Sequence, residues 1–188
     1  MSVISAANPQ RPYCASDLES LFRQTFFKRF NTVLVGGAGE PLYQPSADKG
    51  QPHRIFYRED FFSSALHEIA HWCIAGVQRR KQQDFGYWYL PDGRDQQQQQ
   101  AFEKVEVKPQ ALEWMFSVAA GRKFFLSADN LSGTGELSES FAGNVQAQAV
   151  AWCRTGMPPR GLLFIHQLES YYQTDVALQL SSYQQLPE

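Results

Sequence analysis

The fold of this chain is decided by residues 65–76, ALHEIAHWCIAG. Apolar side chains recur in and around this stretch with helical spacing, at Phe62, Ala65, Leu66, Ile69, Trp72, Cys73 and Gly76. A wide apolar face of this kind is typical of a helix that packs into a protein core. We predict a helix from about Phe61 to Arg80, with Asp60 as its N-terminal cap.

Two histidines, His67 and His71, lie four residues apart in this predicted helix. At that spacing both imidazole rings project from one face, one turn apart, and can bind a single metal ion. Glu68 completes the pattern HExxH, in which the glutamate of metalloproteases takes a proton from the metal-bound water. The sequence therefore predicts a metal centre with Glu68 as a catalytic residue. We expect His53 and His166 to be ordinary surface or core residues.

A catalytic metal site also needs a third protein ligand and an open coordination position. Zinc hydrolases and the facial triad of non-haem iron oxygenases both pair two histidines with a carboxylate from another element. Three glutamates lie around the start of a helix predicted over Pro109–Ala120, and we rank Glu106 first, Glu113 second and Glu103 third. If the helix reaches back past its proline, Glu106 shares a face with Gln110; otherwise it lies just ahead of the first turn.

The rest of the chain predicts an α+β fold, mostly helical, with a small β-sheet. The capping-box pattern of residues 16–19 begins a helix that ends near Phe30. Two further helices are predicted, from Ser138 or Ser140 to Gly156 and over Arg160–Gln173. Three short β-like runs predict the sheet, at Thr32–Val35, Pro41–Gln44 and Arg54–Tyr57.

The connecting segments carry fewer signals. The glutamine run at residues 96–100 is interpreted as a solvated loop or a helix start, and residues 129–136 as a glycine-rich loop. Gly121 is expected to end the helix over Pro109–Ala120 in the left-handed conformation. We expect residues 1–14 to be a flexible leader and residues 15–188 to form one domain, as the chain length favours.

Composition excludes several classes of protein. With 17 basic and 19 acidic residues the net charge is −2, which argues against bulk binding to nucleic acid. The three cysteines, Cys14, Cys73 and Cys153, are too widely spaced to predict a disulfide framework or a Cys-x-x-Cys zinc site. The N-terminus has no apolar signal core, and no apolar run approaches the length of a membrane span. We expect a cytoplasmic monomer.

Three segments carry a particular combination of motifs: residues 65–76, residues 84–95 (DFGYWYLPDGRD) and residues 102–121 (FEKVEVKPQALEWMFSVAAG). Together they closely resemble the elongation factor P hydroxylase family. HExxH alone is shared with many hydrolases, whereas the PDGRD and VEVKPQAL motifs are far more particular. The resemblance implies a zincin-like fold with a two-His-one-carboxylate metal site, in which His67, His71 and Glu106 match the ligands.

The same resemblance implies the reaction. The family hydroxylates a lysine of translation elongation factor P that has already been lysylated, by oxygen insertion at a C–H bond of the side chain. We expect a divalent metal, iron(II), with molecular oxygen as cosubstrate, and the resemblance leaves the reductant open. Glu68 would then act near the metal or as a proton relay, rather than as the base for a hydrolytic water.

A folded substrate with a long cationic side chain requires an open cleft with acidic and aromatic walls. Tyr87 and Trp88 are candidates for a cation–π surface, with core packing as the alternative. Asp92 and Asp95 are candidates to attract the amines, although turn formation explains them equally. Arg94 is a candidate to bind an acidic cosubstrate, or else it pairs with one of these aspartates.

Two other functions are compatible with the same metal site. A small zinc peptidase would use Glu68 as general base, and the bare HExxH pattern favours it. A non-catalytic, metal-stabilised binding module would have a closed shell of four ligands. The extended resemblance favours the hydroxylase over both.

Overall fold

The computed structural model describes residues 13–48, 50–84, 93–128 and 137–187, which form five α-helices and a small sheet. The helices are α1 (Ala15–Phe30), α2 (Phe62–Ile74), α3 (Gln96–Ala119), α4 (Phe141–Thr155) and α5 (Pro159–Tyr172). The strands are β1 (Thr32–Ala38), β2 (Leu42–Gln44) and β3 (His53–Arg58). This arrangement confirms the α+β class, the three short strands and the helical dominance predicted from the sequence.

The three strands form one sheet in the order β1-β3-β2. β1 runs parallel to the central strand β3, and β2 runs antiparallel to it. On the outer side of β2, the backbone N–H of Tyr43 donates to the carbonyl of Asp84 at 2.6 Å, and the N–H of Asp84 donates back at 3.0 Å. This isolated bridge ties the segment after α2 to the edge of the sheet.

An aromatic core joins three of the helices. Phe22 and Phe26 of α1 pack against Trp72 of α2, with ring centroids 5.1 and 4.9 Å apart, and both also contact Phe164 of α5. Leu18, Leu21, Phe22 and Phe26 of α1 are buried, and so are the apolar positions of α2 from Phe62 to Cys73. Because these side chains leave water, α2 is fixed in the interior with only its histidine-bearing face partly open.

The predicted start of α2 at about Phe61 is confirmed within one residue, whereas its predicted end and its predicted N-cap were wrong. The helix stops at Ile74, six residues before Arg80. The guanidinium of Arg160 donates to the carbonyls of Trp72, Cys73 and Ala75. In a longer helix these carbonyls would accept hydrogen bonds from backbone N–H groups of the next turn, so Arg160 takes the place of that turn. At the other end Phe61 is the N-cap and no side chain caps the helix. The carboxylate of Asp60 instead lies beside Gly36.

The start of α3 also differs from the prediction. The helix begins at Gln96, within the glutamine run, and Pro109 lies inside it. Asp95 and Gln98 form a reciprocal capping box at its start, with hydrogen bonds of 2.9 and 3.0 Å. An internal proline costs about 3 kcal/mol of helix propensity. Burial of the apolar face of α3, including Pro109 itself, outweighs that local cost.

The remaining expectations divide into those confirmed and those outside the described residues. Helices α4 and α5 match their predictions within one or two residues, and Gly121 ends α3 with a φ of 71°. The glycine-rich loop predicted over 129–136 and residues 1–12 of the expected leader lie outside the described residues. Tyr13 packs on Phe62 and donates a hydrogen bond to the carbonyl of Gly121.

Within the described ranges, no helix has both the length and the apolar character that crossing a membrane requires.

Candidate metal centre

The partly open face of α2 carries the two histidines of the HExxH pattern. Their side chains are 24% and 14% exposed, for His67 and His71 respectively. The two Nε2 atoms are 3.0 Å apart. Because the apolar face of α2 is anchored in the core, both imidazoles are directed toward the same point beside α3.

The carboxylate of Glu106 on α3 meets the histidines at that point. Its two oxygens lie 3.5 Å from Nε2 of His67 and 3.3 Å from Nε2 of His71. One ligand atom from each of the three residues can be chosen so that all lie within 4.8 Å of one another. Helix α3 therefore begins before Pro109, which was one of the two alternatives left open by the sequence. Glu106 lies on its buried face.

This donor set fits a metal ion. Donors bound to one ion at roughly 2.0–2.2 Å, at angles between octahedral and tetrahedral, are separated by about 2.9–3.5 Å. The shortest separations here, 3.0, 3.3 and 3.5 Å, lie in that range, the last two being made by different oxygens of Glu106. Glu106 is 1% exposed, and its Oε2 is buried without a hydrogen-bond partner among the described residues. A buried carboxylate oxygen left in this way is costly unless a cation binds it.

Mutual charge stabilises the ligands. Burial disfavours a protonated His67, but the hydrogen bond and charge of Glu113, with the charge of Glu106, raise the pKa of His67 to about 10. Burial would also raise the pKa of Glu106, yet His71 and His67 together hold it below its ordinary value. A bound metal ion competes with the proton for the imidazole, as at any histidine ligand.

Glu68 lies on the buried side of the centre. It is 8% exposed, and burial raises its pKa, although the charges of His71 and His67 oppose the shift. Together with His71, Tyr43 and Trp72 it lines a small cavity of about 20 Å³, enough for one water molecule. A raised pKa beside the ligands is the direction expected of a group that transfers protons.

The two other glutamates considered as ligands have different contacts. Oε2 of Glu113 lies 2.8 Å from Nδ1 of His67, on the other side of the ring from Glu106. The backbone N–H and the hydroxyl of Ser138 donate to Glu103. The sequence did not reveal the contact of Glu113 with Nδ1. The available signal was its separation of seven residues from Glu106, which puts both on one face of a helix.

The structure describes only two of the five predicted substrate-binding residues. Tyr87, Trp88 and Asp92 lie outside the described residues. Arg94 is fully buried, with its guanidinium bonded to Gln99 and to the carbonyl of Ala128. Asp95 caps α3. The contacts of Arg94 and Asp95 are those of structural residues, and the roles toward substrate or cosubstrate stay predictions.

Comparisons with known proteins agree with this geometry. A sequence model of the elongation factor P hydroxylase family matches residues 21–183. A protein of Haemophilus influenzae named elongation factor P lysine hydroxylase is 45% identical over 167 residues, covering 89% of this chain and 94% of that protein. Neither comparison supports the zinc peptidase or the non-catalytic binding module. This chain belongs to the elongation factor P hydroxylase family.

Proposed function

We propose that this chain is a metal-dependent enzyme that hydroxylates the lysylated lysine side chain of translation elongation factor P. The observation that carries the proposal is the convergence of His67, His71 and Glu106 on one point, in a chain of this family. The name of the Haemophilus influenzae relative supplies the substrate and the modified residue type. The requirement for prior lysylation is part of the proposal.

Iron(II) is the metal we propose, with molecular oxygen as cosubstrate. Two imidazoles and one carboxylate form the donor set of non-haem iron oxygenases, and such a centre supplies activation of oxygen for insertion into a C–H bond. In such an insertion one oxygen atom enters the substrate, and an electron donor must reduce the other to water. The three protein ligands come from α2 and α3, which leaves the exposed side of the histidines for the substrate.

The carboxylates of the centre suit a cationic substrate. Glu68, Glu106 and Glu113 are all buried, and each lies close enough to His67 for its charge to act on the imidazole. With two neutral imidazoles and a divalent ion, two ionised carboxylates make the centre neutral and ionisation of the third makes it negative, so the centre does not repel the amines of a lysylated lysine. Glu68, which can hold a proton there, would exchange protons with the reacting groups.

We further propose that the enzyme acts in the cytoplasm, where its substrate serves translation, and that it acts as a monomer. Residues 15–188 would form its single domain.

The test is the intact mass of lysylated elongation factor P, co-expressed with and without this chain. We expect a gain of one oxygen atom with the wild type and no gain with His71→Ala. His166→Ala is the matched control, because His166 is exposed on α5 and remote in sequence from the ligands. No gain with folded, metal-loaded wild type would refute the proposed function, and full activity in His71→Ala would refute the metal site.

A further inference from the structure

Helix α3 contributes two carboxylates to the neighbourhood of one histidine. Glu106 and Glu113 are seven residues apart, which is two helical turns and roughly 10 Å along the axis. Glu106 faces Nε2 of His67 at 3.5 Å, whereas Glu113 meets Nδ1 at 2.8 Å. The imidazole of His67 is therefore held between two turns of the same helix.

The contact at Nδ1 determines which nitrogen of His67 can bind a metal. A neutral imidazole has one N–H and one nitrogen with a free lone pair. An ionised carboxylate only accepts hydrogen bonds, so Nδ1 must carry the hydrogen that is donated to Glu113. The lone pair then lies on Nε2, the atom that faces Glu106 and His71. Glu113 is 7% exposed, which limits competition from water for this hydrogen bond.

We propose that Glu113 is a positioning residue: it holds His67 in the Nδ1–H tautomer and orients its ring for the metal, without binding the metal itself. This role rests on the metal site of the proposed function. The carboxylate also strengthens the imidazole as a ligand, because a negative charge at Nδ1 raises the basicity of Nε2. The geometry argues against a ligand role, since the oxygen lies on the opposite side of the ring from the other donors.

The experiment titrates cobalt(II), an air-stable probe, into metal-free protein without any substrate. Glu113→Ala should weaken binding by about 10- to 100-fold, the usual effect of losing a hydrogen-bond partner of a histidine ligand. Glu113→Gln should lose less, because its amide oxygen still accepts the Nδ1–H although the charge is gone. Glu103→Gln is the matched control, a buried glutamate of the same helix that bonds to Ser138 instead, and should keep wild-type affinity.

The visible spectrum of the cobalt-saturated protein separates positioning from ligation. Saturated Glu113→Ala should keep the wild-type spectrum, because its ligands are unchanged, whereas Glu106→Gln should alter it. Wild-type affinity in both Glu113 variants, or a changed spectrum at saturation, would overturn the positioning role alone. A wild type that binds no metal would overturn the metal site and this role with it. If Glu113→Ala does not fold, the affinity and spectrum of Glu113→Gln decide between these outcomes.

Discussion

Glu68 has its carboxyl group buried beside two histidines, where both its charge and its proton affect the centre. Burial favours the neutral acid more than the charges of the imidazoles favour the carboxylate, so the pKa of Glu68 lies above its ordinary value. A carboxyl group whose pKa is shifted in this direction is a candidate to accept and return a proton during a reaction.

We therefore expect Glu68→Gln to bind metal like the wild type but to hydroxylate elongation factor P about 10²- to 10⁴-fold more slowly, the range for losing a general acid–base group. The rate is measured from the mass gain of the substrate over time. Glu139→Gln, at an exposed position before α4, is the control for loss of a charge. A wild-type rate in Glu68→Gln would exclude a proton-transfer role.

At the scale of single residues, the sequence predicted which side chains lie at the candidate centre better than it predicted their contacts. His67 and His71 follow from helical spacing alone, because one turn separates them on any helix. Glu106 was ranked first from its place near the start of a predicted helix, and the family resemblance then matched the same residue. The partner of Glu113 could not be predicted, since it depends on how α2 packs on α3 and on which nitrogen of His67 faces each turn.

Among the elements, α2 owes its short length to a residue far along the chain. Arg160, in the first turn of α5, donates from one nitrogen to the carbonyls of Trp72, Cys73 and Ala75 at 2.6–3.1 Å. Its guanidinium also lies 4.9 Å from the centroid of the Trp72 ring. The end of the metal-bearing helix is thus fixed to α5 by a charged group.

We expect Arg160→Met to lower the free energy of unfolding by about 2 kcal/mol, because the carbonyls at the end of α2 lose a charged donor. Urea denaturation measures the loss. Arg154→Met, at an exposed site in the last turn of α4, should change stability by less than about 0.5 kcal/mol. Equal stability of the two variants would show that Arg160 does not hold the end of α2.

Two errors at the scale of elements share one cause. α2 was predicted to continue to Arg80, and Pro109 was interpreted as the start of a helix. Tertiary contacts decided otherwise: Arg160 stopped α2 early, and burial carried α3 through its proline. Where no distant residue intervened, as in α4, α5 and the strands, periodicity predicted the elements within one to three residues.

The molecule as a whole contains several tyrosines whose hydroxyls are withdrawn from water. Tyr57 and Tyr183 are each 1% exposed. Burial raises the pKa of Tyr57, aided by the hydrogen bond to Glu19, and burial likewise raises the pKa of Tyr183. The folded protein therefore keeps both phenols neutral at a pH where the unfolded chain would release their protons.

Stability should accordingly be full below the ordinary phenol pKa of about 10 and should fall as the pH rises past it, because the unfolded state then binds fewer protons than the folded state. The measurement is the urea midpoint of metal-free protein at about pH 8 and about pH 10.5. In Tyr183→Phe, stability at the lower pH should drop by about 1 kcal/mol with the lost hydrogen bond, yet the fall between the two pH values should be smaller. An equal fall in both proteins would contradict this account.

The bridge between Tyr43 and Asp84 has a consequence for how the whole molecule meets its substrate. On the three-residue strand β2, Leu42 and Gln44 point their backbone groups toward β3, so Tyr43 has the outward N–H and carbonyl, and Asp84 occupies both. Tyr43 and Asp84 also line the cavity beside Glu68 and His71, so this edge borders the metal centre. A substrate segment cannot join the sheet there as an additional strand.

Because strand addition is blocked at this edge, we expect recognition to use the folded surface of elongation factor P around the modified lysine. We expect a linear lysylated peptide of the same sequence to be hydroxylated with a kcat/KM lower by about tenfold or more, equivalent to about 1.4 kcal/mol of lost recognition. Equal kcat/KM values for the peptide and the folded factor would mean that the enzyme recognises a linear segment of its substrate. A lower kcat/KM for the peptide would mean that the enzyme recognises the folded shape of its substrate, as expected if no strand can be added at this sheet edge.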